Sequence, residues 1–360
     1  MSMGGGKENE AAGAGVDIDA SRLFVTPGLI DMHAHLAFAP SLLRIDGSRP
    51  SPVERIRRHV AEALRAGVTT VRDLGSPDDS ALSAIAEWNE GVRTGSVRGA
   101  RPIFAGGVIT SVGGHGAWVG TQTSTIAEMK EATYTRHRDG HRWVKFMMAS
   151  AARPMEFTAS DLYEAVEFAH SLGMRTAVHA NFSERSVLSA AQAHCSTIEH
   201  GYAVTDELLE VLKNSGTAIC PTLTALHSVA DNPAIAEVRV GPELASSASA
   251  NLDRARDAVR RYRDAGVPIV AGTDAGVMGA RYGDIHTEMQ LLRQCGLSRL
   301  EALQAATIGA ADVLGEPLGA VEAGRKADLL IVRENPLTNP DTLREPEGII
   351  LEGQLVEPVI

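Results

Sequence analysis

The feature that most constrains this chain is an eightfold alternation of short apolar runs with longer segments of helical period. The runs are rich in Val, Ile and Thr, the pattern expected of βα units around a parallel sheet. They are Leu29 to His35, Val68 to Leu74, Pro102 to Gly106, Trp143 to Met148, Arg175 to His179, Thr197 to His200, Thr217 to Pro221 and Pro268 to Asp274. Between them, Pro52 to Ala66, Ala159 to Leu172, Thr205 to Asn214 and Asn251 to Ala265 read as helices, several stopping just before a glycine that can cap them. Eight strands and the helices between them predict an α/β fold, a closed (β/α)8 TIM barrel over residues 27–315.

A chain of 360 residues is long enough for such a barrel and a small satellite domain. Val16 to Val25, the short β run inside GAVEAGRKADLLIV and the tail near Ile349 to Leu355 predict a small, reduced β-sandwich from residues 16–26 and 316–360. Residues 1–15 are small and polar and read as a disordered leader. Leu223 to Ser249 is too long for a simple βα connection and reads as a lid or substrate-binding loop that sets specificity. Arg299 to Leu314 reads as helical.

Charge and cysteine content narrow the function classes. The net charge of -11 has no compensating basic block, which argues against nucleic acid and anionic membrane surfaces as partners. Every apolar run ends at a charge, glycine or proline before a spanning length. Cys195, Cys220 and Cys295 have no CxxC spacing and suggest no disulfide framework, so the expectation is a soluble protein of the reducing cytoplasm. Its partner is a small molecule; a homo-oligomer stays open.

The chemistry sits at the ends of the runs. In PGLIDMHAHL a period of two aims His33 and His35 at one face, with Met32 and Ala34 on the other. An isolated HxH is more often a hydrogen-bonded core pair than a ligand pair. Lys145 lies in RWVKFMMAS with apolar residues on both sides, where an unpaired ammonium carries a large desolvation cost. Three readings stay open: a lysine that snorkels to the strand end, a Schiff-base lysine, or an amine of lowered pKa that takes up carbon dioxide as a metal-bridging carbamate. His179 ends the fifth run, His200 the sixth and Asp274 the eighth, each where a barrel strand delivers a side chain to the active-site face. One such residue is explained as a polar cap or helix N-cap. Four histidines, a lysine and an aspartate at strand ends are hard to explain that way. Imidazole and oxygen ligands suit zinc first, with manganese, iron or cobalt as substitutes.

With these residues in place, the sequence resembles the amidohydrolase superfamily from about Phe24 to the C-terminus. The resemblance implies a metal site of His33, His35, Lys145, His179, His200 and Asp274, with two divalent ions bridged by carboxylated Lys145. It further implies that His33, His35 and Asp274 hold the more buried ion, and His179 and His200 the more exposed one. Within the superfamily, VGGHG around His115, KFMMAS, VHA, EHGY and GTDAG are most similar to Xaa-Pro dipeptidases and imidazolonepropionase-like proteins. In the dipeptidase-like members the histidine of the glycine-rich loop and the tyrosine after the strand-six histidine contact substrate, here His115 and Tyr202. A loop histidine and a packing tyrosine are the plainer alternatives. Family members also carry a longer N-terminal segment before the HxH pair, which is why the small domain is expected to be reduced.

The implied activity is hydrolysis of an amide-type C–N bond in a dipeptide, N-acyl amino acid, cyclic amide or carbamate. A hydroxide bridging the metals would attack, Asp274 would serve as base and then acid, and His115 and Tyr202 would steady the oxyanion or a substrate carboxylate. Arg153 and Arg281, just past strand ends, are further carboxylate anchors with weaker support, because surface arginines are common. A nucleobase-type deaminase is demoted, since relatives with that chemistry place a glutamate at HxxE spacing after the strand-five histidine. Phe182 stands there, and the nearest acid is Glu184. A non-catalytic scaffold relative is set low, because no ligand position is lost.

Overall fold

The computed structural model describes residues 20–38, 50–148, 157–232 and 242–356; the expected leader and Arg153 lie outside them. The strands are β1 (Phe24–Pro27), β2 (Leu29–Ala34), β3 (Val68–Asp73), β4 (Arg101–Phe104), β5 (Ile109–Ser111), β6 (Thr121–Thr123), β7 (Trp143–Met147), β8 (Arg175–Ala180), β9 (Thr197–His200), β10 (Ala218–Cys220), β11 (Leu329–Val332), β12 (Gly348–Leu351) and β13 (Gln354–Val356). The helices are α1 (Pro52–Arg65), α2 (Asp78–Thr94), α3 (Ile126–Arg138), α4 (Ala159–Ser171), α5 (Glu184–Gln192), α6 (Asp206–Ser215), α7 (Leu223–Asp231), α8 (Pro242–Ala265), α9 (Ile285–Gln294), α10 (Arg299–Ala305) and α11 (Ile308–Leu314).

The arrangement is a TIM-barrel-like α/β fold. One sheet runs β2-β3-β4 and another β10-β9-β8-β7-β5-β6, with every pairing parallel. The pairing passes from one sheet to the other just after the third apolar run: β4 bonds to β3, and β5, starting five residues after β4 ends, bonds to β7. The eighth run links the remaining edges without a continuous ladder. Val270 N–H donates to Ile219 O at 2.9 Å, Met32 N–H to Ala271 O at 3.0 Å and Asp274 N–H to His33 O at 2.8 Å. Gly272 sits in this run because a Cβ there would lie 2.5 Å from Cys220 Sγ and 2.8 Å from the His33 nitrogen.

Local signals set the helix ends. Ser51 and Glu54, Thr158 and Asp161, and Ser298 and Glu301 form capping boxes at α1, α4 and α10. The buried faces of the helices then close over the strands, and the interior keeps the buried charges Arg72, Lys145 and Glu199 among alanine, valine and isoleucine.

Two expectations are corrected. The described parts of the Leu223 to Ser249 segment are helical rather than loop: α7 covers Leu223–Asp231, and α8 begins at Pro242 rather than Asn251. Leu223, Leu226 and Val229 are buried at helical spacing, an apolar stripe masked by the polar residues between them. The small domain is one four-stranded antiparallel sheet among the described residues, in the order β1-β11-β12-β13, rather than two facing sheets. Arg101 of β4 ties it to the barrel strands through Asp328 at 2.5 Å and Glu352 at 2.6 Å. No described helix is long and apolar enough to cross a membrane.

Candidate active site

β2 brings His33 and His35 to one point despite bulges in its pairing with β3. Their rings lie 5.3 Å apart, and both Nε2 atoms face Asp274 Oδ1, at 3.4 and 3.2 Å. His200 approaches His33 with ring centroids 5.3 Å apart, His179 lies 4.6 Å from His200, and His115 stacks on His179 at 4.6 Å. Lys145 is 1% exposed, and its Nζ has no hydrogen-bond partner among the described residues. Its charge is felt at His33, His179, His200 and Glu199, so it belongs to the same cluster.

β9 ends in an arrangement that regular strand geometry forbids. Glu199 and His200 are consecutive and would point to opposite faces of an extended strand, yet both touch His33. His200 has φ 72°, in the left-handed region, which turns its side chain back to the side of Glu199. Asp274 does the same at the end of the eighth run with φ 56°, and Thr222 beyond β10 has φ 49°. Three non-glycine residues in this conformation around one cluster mark a site held in place by its surroundings.

Hydrogen bonds orient the imidazoles. His33 Nδ1–H donates to Glu199 Oε2 at 2.7 Å, and His200 Nδ1 meets Thr222 Oγ1 at 2.7 Å. Glu199 is wholly buried and bound by Arg72 Nη2 at 2.9 Å, while Arg72 also donates to Met32 O and Thr197 Oγ1. Burial would push the Glu199 carboxyl up, but Arg72, Lys145 and His33 outweigh it and hold it well below the usual carboxylate range. Below β2, Asp31 accepts from His33 N–H at 3.1 Å and from the Thr273 backbone and hydroxyl at 3.0 and 2.6 Å, pinning the HxH strand to the run that ends in Asp274.

Burial governs the other ionisations. It lowers His200 to about 3 and His179 well below its ordinary value, so both are neutral near pH 7. It also lowers Lys145, to about 8. At Asp274 burial acts upward, but His33, His35 and His200 prevail and keep the carboxyl ionised.

These residues fit a cation. Because Nδ1 of His33 carries the proton given to Glu199, its Nε2 presents a lone pair towards a carboxylate oxygen that has no hydrogen-bond donor among the described residues. Two acceptors facing each other at this depth call for a positive ion between them. The ligand atoms of His33, His35 and Asp274 all lie within 4.8 Å of one another. His179 Nε2, beside His200, is a further buried atom without a hydrogen-bond partner among the described residues.

The remaining expected residues are distributed as follows. Tyr202 is buried, 5.8 Å from His200, with its hydroxyl 3.1 Å from Thr222 Oγ1. Arg281 is exposed and makes no side-chain contact with the cluster among the described residues, so its place as a carboxylate anchor gains nothing from the structure. Sequence reasoning missed Glu199, Arg72, Asp31 and Thr222. Arg72 in TTVRDL and Glu199 in TIEH are charges inside apolar strand runs, a signal of mutual pairing that was legible.

Phe182 stands where a deaminase would carry its glutamate; its ring packs 4.9 Å from Tyr202, with the Arg254 guanidinium 4.5 Å above it. Glu184 is exposed in the first turn of α5.

Comparison with known proteins agrees with this geometry. The chain matches the amidohydrolase family over residues 24–356. It is 30% identical to an uncharacterized protein of Mycobacterium tuberculosis, over 96% of this chain and 88% of that one. It is 26% identical to ochratoxinase of Aspergillus niger, covering 90% and 73%. A 5-methylthioadenosine/S-adenosylhomocysteine deaminase of Thermoanaerobacter pseudethanolicus is 25% identical, covering 88% and 74%. Among solved structures, a Xaa-Pro dipeptidase with bound methionine in the active site superposes with a TM-score of 0.80 at 26% identity, covering 93% of this chain and 87% of that one. The chain therefore belongs to the amidohydrolase family and is a hydrolase acting on C–N bonds.

Proposed function

We propose that the chain hydrolyses an amide bond in a small substrate carrying a carboxylate, such as a dipeptide or N-acyl amino acid, with two divalent cations, zinc first, at the cluster around His33. The observation that carries this is the buried Lys145 amine, without a hydrogen-bond partner among the described residues, beside four clustered histidines and an ionised aspartate. His33, His35 and Asp274 would hold one cation and His179 and His200 the other, with Lys145 bridging them as a carbamate. Such a pair lowers the pKa of water and polarises a carbonyl.

The protein's own groups supply the rest. Asp274, kept ionised by its histidine neighbours, accepts a proton on its carboxylate and returns it to the departing nitrogen. Burial keeps the Tyr202 phenol protonated, so it donates a hydrogen bond to the developing oxyanion or to the substrate carboxylate. His115 sits above His179 on a glycine-rich loop and contacts the substrate from the open side. Lys145, lowered to about 8, keeps a minor fraction of free amine for carbon dioxide in neutral buffer, far more than an ordinary lysine.

The test is a screen of dipeptides, N-acyl amino acids, lactams and carbamates on zinc-loaded protein, with elemental analysis and detection of the lysine carbamate by carbon NMR after supply of labelled bicarbonate. Turnover with about two metals per chain supports the reading. Ammonia release from purine derivatives without amide hydrolysis would replace it with the deaminase reading, which Phe182 at the glutamate position disfavours.

A further inference from the structure

The loop that carries His115 also carries Trp118, whose side chain is 77% exposed, the most exposed large apolar residue among those described. An indole this open offers a broad apolar face for contact, and its position decides what it can meet. Trp118 lies 5.0 Å from the Phe38 ring, and Phe38 stacks on His35 at 5.3 Å, with planes 27° apart. A chain of three rings therefore runs from Asp274, 3.2 Å from His35, out to solvent. On the other flank the same loop stacks His115 on His179. One loop of a few residues thus meets the cluster directly at His179 and reaches His35 through Phe38.

The loop is pre-organised. Gly113 N–H donates to Gln122 Oε1 at 2.8 Å, Gly114 N–H to Ser111 O at 2.9 Å and Val119 N–H to Gly116 O at 3.0 Å. Phe38 is held from beneath, because the Tyr282 hydroxyl, which donates to His35 O at 2.8 Å, also contacts Phe38 O. A rigid aromatic face costs little ordering entropy when a flat ligand group lands on it.

We propose that Trp118 and Phe38 form a specificity platform for a large, flat apolar group flanking the scissile bond, so that the preferred substrates are aryl-acyl amino acids or dipeptides with an aromatic residue. This rests on the amide-hydrolase reading above. Area buried on the indole, together with ring stacking, gives a selectivity of about tenfold or more for an aromatic over a small aliphatic group. His115 and Tyr202 are the groups assigned above to the polar part of the same molecule.

The experiment compares N-acetyl, N-butanoyl, N-benzoyl and N-naphthoyl alanine, and alanyl dipeptides ending in glycine, leucine or phenylalanine, in wild type, Trp118→Ala and Trp118→Phe. In the favoured series, the ratio of kcat/KM for the largest aromatic substrate over the smallest aliphatic one should fall about tenfold in Trp118→Ala and be largely kept in Trp118→Phe. An unchanged ratio in Trp118→Ala overturns the platform while leaving amide hydrolysis intact. A second readout needs no turnover: naphthoyl alanine should quench tryptophan emission in metal-loaded wild type, and the quench should vanish in Trp118→Phe. Quenching lost in that variant supports the platform even where no substrate is hydrolysed, a failure that would then belong to the amide-hydrolase reading; quenching retained overturns the platform.

Discussion

Replacing Lys145 by methionine should make the metal-free fold more stable while removing its capacity for two metals. Its Nζ is buried without a partner, and burial lowers its pKa from the ordinary 10.5 to about 8. At about 1.4 kcal/mol per unit, that drop is a cost of about 3 kcal/mol carried by the folded state whenever the amine is charged. The sign follows from the lowered pKa. Below pH 8 the lysine is protonated in both folded and unfolded chains, and the fold bears the whole cost. Between 8 and 10.5 only the unfolded chain stays charged, so wild-type stability rises with pH, and above 10.5 the cost is gone. Methionine has nearly the same volume and nothing to ionise. Urea denaturation of chelator-treated proteins in carbonate-free buffer should therefore place Lys145→Met about 3 kcal/mol above wild type at pH 7, with the gap closing towards pH 10.5. A variant less stable than wild type at pH 7, or a difference independent of pH, would refute the argument that Lys145 is an uncompensated buried amine kept for chemistry.

Other perturbations separate the roles of the surrounding residues. Asp274→Asn should lower kcat by about 10²–10⁴-fold, measured by steady-state kinetics, while elemental analysis still finds most of the metal. Glu199→Gln leaves Arg72 with an uncompensated charge in the core and weakens the hold on the His33 tautomer; a loss of about 3 kcal/mol by denaturation and a 10–100-fold weaker metal affinity are expected, and equal affinity in the variant would count against the Glu199–His33 link. Gly272→Ala forces a Cβ against Cys220 Sγ and the His33 nitrogen, so calorimetry should show about 1–3 kcal/mol lost.

Period and position carried much of this protein into view before any coordinates. A spacing of two is enough to put His33 and His35 on one face, and an apolar run ending in a polar residue marks each place where a strand reaches the mouth of the fold. The resemblance to a known family then joined those residues into one site. What remained hidden depends on contacts between distant parts of the chain. His33 and Glu199 are 166 residues apart, and Arg72 and Glu199 are 127 apart. Strand alternation alone places Glu199 and His200 on opposite faces; the left-handed backbone at His200 is what brings both to His33. The helix over Leu223–Asp231 and the start of Pro242–Ala265, before Asn251, escaped notice because their burial is set by the partners they pack on. Nothing in the sequence links Trp118 to His35; the fold does so by placing Phe38 between them. Local periodicity is a property of neighbouring residues and survives in the one-dimensional record. Which buried charge meets which, and which ring faces water, is decided only when distant strands close on one another.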